Sequence, residues 1–327
     1  MLSRLKLDWY IIAIVSMVVL ASVLPASGPA APAFSLATKF AIGLVFFLHG
    51  AKLSREAVIK GVTHWRLHLL VLAATFVLFP ILCLGFAKLP PWIMPAALAP
   101  GLIFLGCLPS TIQSSIGFTA IARGNVAATV ASATASNLLG IAVTPLLGAM
   151  LMQTQGGGIS FHSVQSIIVQ LLIPFVAGQL LRPVIGAWIG RHAKLVGYVD
   201  RGSILLVVYS AFSEAVLGGI WHQVGKVDLL RLVVLCALLL AIVLAITLAS
   251  ARLFGFNKAD EITIVFCGSK KSLASGVPMA GVLFPGATLG LVLLPIMIFH
   301  QIQLMACAVI AQHYANREPS PETPLEY

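Results

Sequence analysis

Two adjacent lysines, Lys270 and Lys271, stand inside an otherwise apolar run. Their surroundings read Phe266-Cys267-Gly268-Ser269-Lys270-Lys271-Ser272-Leu273-Ala274-Ser275-Gly276-Val277-Pro278. An ammonium held away from water costs roughly 3 kcal/mol or more unless it finds partners. The pair therefore reads as a fixed cation that replaces a bound metal ion, binds an anionic substrate, or carries a proton. The plainer alternative is that one or both reach a water-filled vestibule along their aliphatic stems. Neighbouring helical positions point about 100° apart, so one of the two, not both, faces a cavity. A second polar island reads Gly106-Cys107-Leu108-Pro109-Ser110-Thr111-Ile112-Gln113-Ser114-Ser115-Ile116-Gly117. A shift of 159 residues places Ser110 on Ser269 and Gly117 on Gly276. Proline and glycine free backbone groups that must be satisfied away from lipid. Clustered hydroxyls and amides can do this, either by ligating a cation or by capping half-helices. The alternative is a pair of kinked helices whose Ser and Thr bond their own backbones.

Other polar groups are scattered. Glu214 lies deep in an apolar stretch and reads equally as a site carboxylate or as a residue near the membrane surface, since Trp221 and His222 follow closely. Asp260 and Glu261 open a helix and favour its positive N-terminal end. His49 and His300 read first as packing donors. Gln301 and Gln303 cannot share one helix face, so His300 with Gln303 or Leu304 points inward. The five cysteines, Cys83, Cys107, Cys236, Cys267 and Cys307, all sit in apolar runs without metal-ligand spacing. No serine carries an elbow or triad signature, and no Walker motif, dinucleotide fingerprint or metal cluster is present. Enzymatic catalysis and ATP-driven transport by this chain alone are therefore not expected.

These groups must be positioned by membrane helices. Hydrophobic residues make up 59% of the 327 positions and charged residues 9%, too little charge to cover a soluble domain. Apolar runs of about 20 residues recur, the length that crosses a bilayer as helix. No alternating segments point to a barrel. Spans are expected at 8–25, 35–51, 67–87, 92–121 (interrupted), 126–151, 162–182, 202–220, 229–253, 261–284 (interrupted) and 287–314. The first run faintly resembles a signal peptide and is kept as a span, because its removal would spoil the charge bias that follows. With the N-terminus inside, fourteen Lys and Arg fall on the cytoplasmic side, four fall outside, and Lys270 and Lys271 lie within a span. That is the positive-inside bias, and it also accounts for the net charge of +10 without nucleic acid. It places both termini in the cytoplasm of an inner (plasma) membrane protein surrounded by lipid. Long basic loops are expected at 52–66 and 182–201, and short uncharged ones at 152–161 and 285–287.

A cut near residue 155 leaves five spans on each side, so the halves run in opposite orientation. The expected fold is thus an all-α membrane protein of ten helices in two inverted five-helix repeats, residues 1–155 and 156–315, with a disordered tail at 316–327. Such repeats place a substrate site near the midplane, between halves.

The run Thr119-Ala120-Ile121-Ala122-Arg123-Gly124-Asn125-Val126-Ala127, after a broken fourth span, resembles the bile acid:sodium symporter superfamily. With the two islands and Phe299-His300-Gln301-Ile302-Gln303-Leu304, it is similar to that superfamily's SBF-like branch, over nearly the whole chain. The resemblance implies a panel domain from the first two spans of each half and a core domain from the other three, with the broken helices crossing in the core. It also implies sodium ligands at Gln113, Ser114 and Ser115 and at the helix hydroxyls Thr129, Ser132 and Thr134, of which Ser114, Ser115 and Thr129 are the candidate metal set. Asn125 closes the same motif. The family's Glu and Gln at the second break do not carry over: Phe266 and Lys270 occupy those positions. A carboxylate that would balance Na⁺ is missing and an ammonium stands nearby, which makes Lys270 the preferred lysine.

The candidate site is accordingly Gln113, Ser114, Ser115, Asn125, Thr129, Ser132, Thr134, Ser269, Lys270, Lys271, Ser272, Glu214 and His300. The expected activity is secondary transport of a small organic anion by alternating access, coupled to Na⁺ and needing no other cofactor. The alternatives are a transporter uncoupled from Na⁺, with lysine in place of the ion and a link to protons, or an ion-conducting or regulatory membrane protein.

Overall fold

The computed structural model describes residues 9–52, 64–153, 168–284, 286 and 288–317. Those residues form helices, with no strand among them. In chain order they are α1 (Trp9–Val23), α2 (Ala30–Lys52), α3 (Trp65–Ala87), α4 (Ala99–Cys107), α5 (Gln113–Ile121), α6 (Val126–Gln153), α7 (Ile173–Arg191), α8 (Ala193–Leu217), α9 (Lys226–Leu253), α10 (Lys258–Gly268), α11 (Leu273–Leu283) and α12 (Thr288–Ala315). A 3₁₀ turn, Ala96–Leu98, leads into α4, and a single turn, Ile220–Gln223, precedes α9. Among the described residues, seven helices are long and apolar enough to cross a membrane: α2, α3, α6, α7, α8, α9 and α12. Helices are the only open-ended elements that satisfy their own backbone in lipid, which is why an apolar sequence of this kind takes no other form.

The two interrupted stretches break where Pro109 and the Gly268-Ser269 step fall. α4 stops at Cys107 and resumes as α5 at Gln113; α10 stops at Gly268 and resumes as α11 at Leu273. Each half alone is too short to cross a bilayer at 1.5 Å per residue. The basic stretch 182–201, expected as a loop, is instead helical. α7 runs to Arg191 and α8 starts at Ala193, with His192 alone between them. Arg and Lys are good helix formers, and their charged ends reach water without unwinding the chain. Of the other expected loops, 53–63, 154–161, Pro285 and Ala287 lie outside the described residues, as does the tail from 318.

Packing separates the helices into two groups. α1, α2, α7 and α8 lie together, with α2 against α7 and α1 against α8. α3 to α6 and α9 to α12 form the other group, around the breaks. The groups meet where α8 and α2 touch α11 and where α8 touches α12. The α2–α7 crossing depends on glycine. A Cβ on Gly50 would lie 2.0 Å from the Phe175 carbonyl oxygen, and one on Gly178 would lie 2.0 Å from that of Phe47. Both obstacles are backbone and cannot swing away. Small residues at such crossings let helices approach closely where lipid supplies no hydrophobic drive.

Gly50→Ala and Gly178→Ala should therefore each destabilise the first group by about 1–3 kcal/mol, the usual cost of overpacking. Melting of the purified variants in one detergent checks this, with Gly117→Ala, which meets open space, as the comparison that should melt near wild type.

Candidate functional site

The site is built from backbone left without partners. Helix α3 contains one π-turn, Ala74–Leu78, in which N–H groups reach five residues back; Phe79 donates to the Ala74 carbonyl in this way. The next N–H, which would reach Thr75, belongs to Pro80 and does not exist. The Thr75 carbonyl is thus freed in mid-membrane. At the end of α4, the carbonyls of the last turn are orphans too, since Pro109 stops the helix.

Lys271 collects these groups. Its Nζ donates to the carbonyl oxygens of Thr75, Gly106 and Leu108, each at 2.7 Å. Those three bonds use all the hydrogens of an ammonium. The same nitrogen lies 4.2 Å from the centroid of the Phe79 ring. A cation at the C-terminal end of α4 also complements the helix dipole. The main chain of Lys271 is held as firmly: its N–H donates to Gln303 Oε1 and its carbonyl accepts from Gln303 Nε2, both at 2.8 Å. His300 Nδ1 meets that Gln303 amide nitrogen at 2.8 Å.

Other carbonyls around the two breaks are met by hydroxyls and amides. Thr144 Oγ1 donates to Cys107 O, Ser272 N to Pro109 O, and Asn137 Nδ2 to Ser110 O. Ser110 Oγ donates to Cys267 O at 2.6 Å, and Ser115 Oγ to Phe266 O at 3.1 Å. Ser136 Oγ accepts from Ser110 N. Asn137 ties both breaks together, because its Oδ1 accepts from Ser275 Oγ at 2.8 Å while its amide serves Ser110. Ser272 caps α11 by accepting from Ser275 N, and Ser269 Oγ donates back to Val265 O. The two interrupted segments cross in contact and run in opposite directions: Asn125, just beyond α5, bonds Ala259 and Asp260 at the start of α10, while Phe104 of α4 packs its ring 5.1 Å from that of Phe284 beyond α11.

The two lysines divide sharply. Lys270 is as buried as Lys271, but its Nζ has no hydrogen-bond partner among the described residues. It faces two ring systems instead, 4.0 Å from the Phe118 centroid and 5.2 Å from that of Phe266. The sequence reading prefers Lys270; the side chain that bridges the breaks is that of Lys271, while the turn at Ser269 carries that of Lys270 toward Phe118 of α5.

The other candidates lie in several separate places. At the crossing lie Ser115, Ser269, Ser272, His300 and, by its bond to Thr111 Oγ1, Ser114. Gln113 lies at the start of α5 with its side chain exposed. One turn deeper in α6, Thr129 Oγ1 sits 3.2 Å from Thr119 Oγ1, 3.0 Å from Thr263 Oγ1 and 2.9 Å from the Asn125 carbonyl. Ser132 instead pairs with His68 at 2.6 Å, and Thr134 is buried in α6. Asn125 is not at the breaks; its amide donates to Asp260 Oδ1 at 2.8 Å. Glu214 is exposed on α8 and is not brought to the crossing. Residues that sequence reasoning passed over are Thr75, Ser136, Asn137, Thr144 and Thr263. An asparagine in mid-span, as at position 137, was the one visible signal, since amides are rare there without a partner.

The fold and site define a multi-pass helical membrane protein organised around two crossing, interrupted helices. The chain belongs to the SBF-like CPA transporter family, whose model matches residues 8–316, and it is thus a member of a transporter family and not an enzyme. It is 55% identical over 312 residues to protein PA2026 of Pseudomonas aeruginosa, covering 95% of this chain and 93% of that one. It is also 55% identical over 311 residues to YfeH of Escherichia coli (strain K12), which bears the name of a symporter, with 95% and 94% covered. The sodium/bile acid cotransporter 7-B of Xenopus laevis is 29% identical over 327 residues, with 95% and 92% covered. These likenesses place it within the bile acid:sodium symporter superfamily.

Lys271→Met should cost far more stability than Lys270→Met. The first removes the donor from three buried carbonyls, each worth about 1–3 kcal/mol when left bare. The second removes a charge that has no hydrogen bond to lose and should be neutral or stabilising. Melting temperatures of the two variants decide the order, and equal values would contradict the division of roles.

Proposed function

We propose that this chain is a secondary transporter of a small organic anion, working by alternating access, in which Lys271 stands where a coupling cation would bind. The observation that carries this reading is the set of three main-chain oxygens, from two helices, at 2.7 Å around one buried ammonium. Unwound carbonyls at broken helices are the groups that coordinate coupling ions in transporters of inverted-repeat design. Here a tethered cation occupies them.

The ten-span arrangement belongs to the same proposal. α4 with α5 and α10 with α11 each make one interrupted span, which with α1 and the seven long helices gives ten, in halves of residues 1–155 and 156–315. The opposed run of the two interrupted segments supports an inverted relationship. The group α1, α2, α7 and α8 corresponds to the panel, and the rest to the core. The basic residues support an orientation with both termini in the cytoplasm of the plasma membrane: Arg317 Nη2 donates to Arg123 O, Arg66 Nη2 to Phe254 O, and Lys52 pairs with Asp200. Tyr209 and Trp221 mark the opposite interface, bonded to Leu24 O and Ser22 Oγ. The anion would enter between the groups and approach the crossing, where Gln113 is exposed.

A second reading, coupling to Na⁺, draws on the oxygen cluster around Thr129 and on the sodium/bile acid name of the Xenopus relative. The chain reconstituted in sealed vesicles separates the two. Gradient-driven uptake of organic anions, a bile acid among them, should be unchanged when external Na⁺ is replaced by choline, and Lys271→Ala should lower the rate at least tenfold. If uptake instead collapses without Na⁺ and the loss follows Thr129→Val, the cation is bound and the lysine does not replace it. A steady current without accumulation would point to a channel.

A further inference from the structure

Away from the crossing, on the basic face, α2, α7 and the start of α8 enclose a cavity of about 590 Å³, within the range of small-molecule sites. Its floor is made of small or apolar groups, Ala51, Gly186, Gly190 and Ala193, and its polar edge of Lys52, Gln179 and Arg182. Lys52 is paired with Asp200. Arg182 has neither a hydrogen bond nor an ion pair among the described residues, and its stem lies over Gly186, 3.2 Å from where a Cβ would be. The terminal oxygen of Gln179 is buried without a partner among the described residues, and a half-turn of the amide presents its NH₂ there instead.

The depth of the cavity follows from α7. Leu180 and Val184, on the other side of α7 at the same height, are 73% and 78% exposed, as side chains that face lipid would be. Trp188 comes next, stacked on His192 with ring centroids 4.5 Å apart, and Arg191 ends the helix. From Arg182 to Arg191 the rise is about 13 Å, so the helix passes from hydrocarbon through the headgroup layer to water. The cavity opens at that boundary.

We propose that this cavity binds the phosphodiester headgroup of an anionic phospholipid. The free guanidinium of Arg182 would take the phosphate through paired N–H donors, the geometry in which arginine exceeds lysine. Lys52, shared with Asp200, adds charge at the rim, Gln179 can serve a glycerol hydroxyl, and the small and apolar groups of the lining, Ala51, Gly186 and Ile189, accommodate the first acyl carbons. Basic clefts between membrane helices at headgroup depth recognise acidic lipids in this way, at about 1 kcal/mol per basic side chain.

The test uses the full-length chain in nanodiscs of phosphatidylcholine doped with phosphatidylglycerol, with retained lipid counted by native mass spectrometry. Wild type should retain phosphatidylglycerol over phosphatidylcholine. Arg182→Gln should lower that retention about fivefold, the effect of losing one such contact, while Arg191→Gln, on the same face outside the cavity, should leave it unchanged. Equal retention of the two lipids overturns the proposal. So does an equal loss in both variants, which would mean unspecific surface charge. Competition by millimolar inorganic phosphate that displaces the lipid completely would make the cavity a site for soluble anions and overturn the lipid assignment. Vesicle uptake is read separately, so a failed lipid site leaves the transport reading untouched.

Discussion

Backbone polarity inside a membrane is the constraint on which the rest of this structure depends. Two helices are interrupted at their centres, and every carbonyl released there must find a donor without water. A single lysine meets two of them, Gly106 and Leu108, together with the Thr75 carbonyl freed in α3, while sitting on the chain of the other break. Around it the supporting helices are decorated to match. α6 contributes Ser136, Asn137 and Thr144 at the levels of Ser110 and Cys107, and α12 contributes Gln303 opposite the main chain of Lys271. Even the π-turn in α3 fits this scheme, since Pro80 leaves bare one acceptor at the level where the ammonium arrives.

A bound ion and a lysine solve the same electrostatic problem with different consequences. An ion can leave, and when it does the carbonyls around it repel one another and the crossing loosens. A lysine is tethered, so the group that meets these carbonyls cannot leave the crossing. On the proposed reading this decouples the integrity of the site from the ion gradient. Lys270, one residue away, shows how particular the arrangement is. It has the same burial and the same charge, but it meets ring faces in place of oxygens. Ring faces attract a cation less than three carbonyls do.

The membrane class, the helical content and the places of both breaks were legible because they rest on local signals: apolar length, proline, glycine and clustered hydroxyls. The choice between Lys270 and Lys271 was not. It is decided by Thr75 and Gly106, more than 160 positions away in the chain, and by a turn at Ser269 that no pattern of types reveals. The basic stretch 182–201 misled for a related reason, since charge marks the water boundary but does not end a helix. The motif around Asn125 was legible, but the contacts it makes were not. Arg123 takes a left-handed conformation, and a Cβ on Gly124 would lie 2.6 Å from Ile262 Cγ2. The motif therefore presses the loop after α5 onto the start of α10, where Asn125 and Asn257 both donate to Asp260. Asp260 and Glu261, which read as residues favouring a helix end, are buried there. Glu261 accepts from Lys258, Tyr314 and Arg252, so both carboxylates fasten elements together in addition to lying at the N-terminus of α10.

The crossing is thus fastened at its centre by Lys271 and at one end by the Asn125–Asp260 clamp, bonds that tie α4, α5, α10 and α11 to one another. The chief contacts of these helices with α2 and α8 are made through α11, whereas α5 and α10 pack within their own group. Along α5, Gln113 and Gly117 lie one turn apart on an exposed face. A set of helices fastened in this way that touches its neighbour mainly through one half has its freedom at the other half. On the proposed reading, rocking between the two groups would therefore open or close space beside α5.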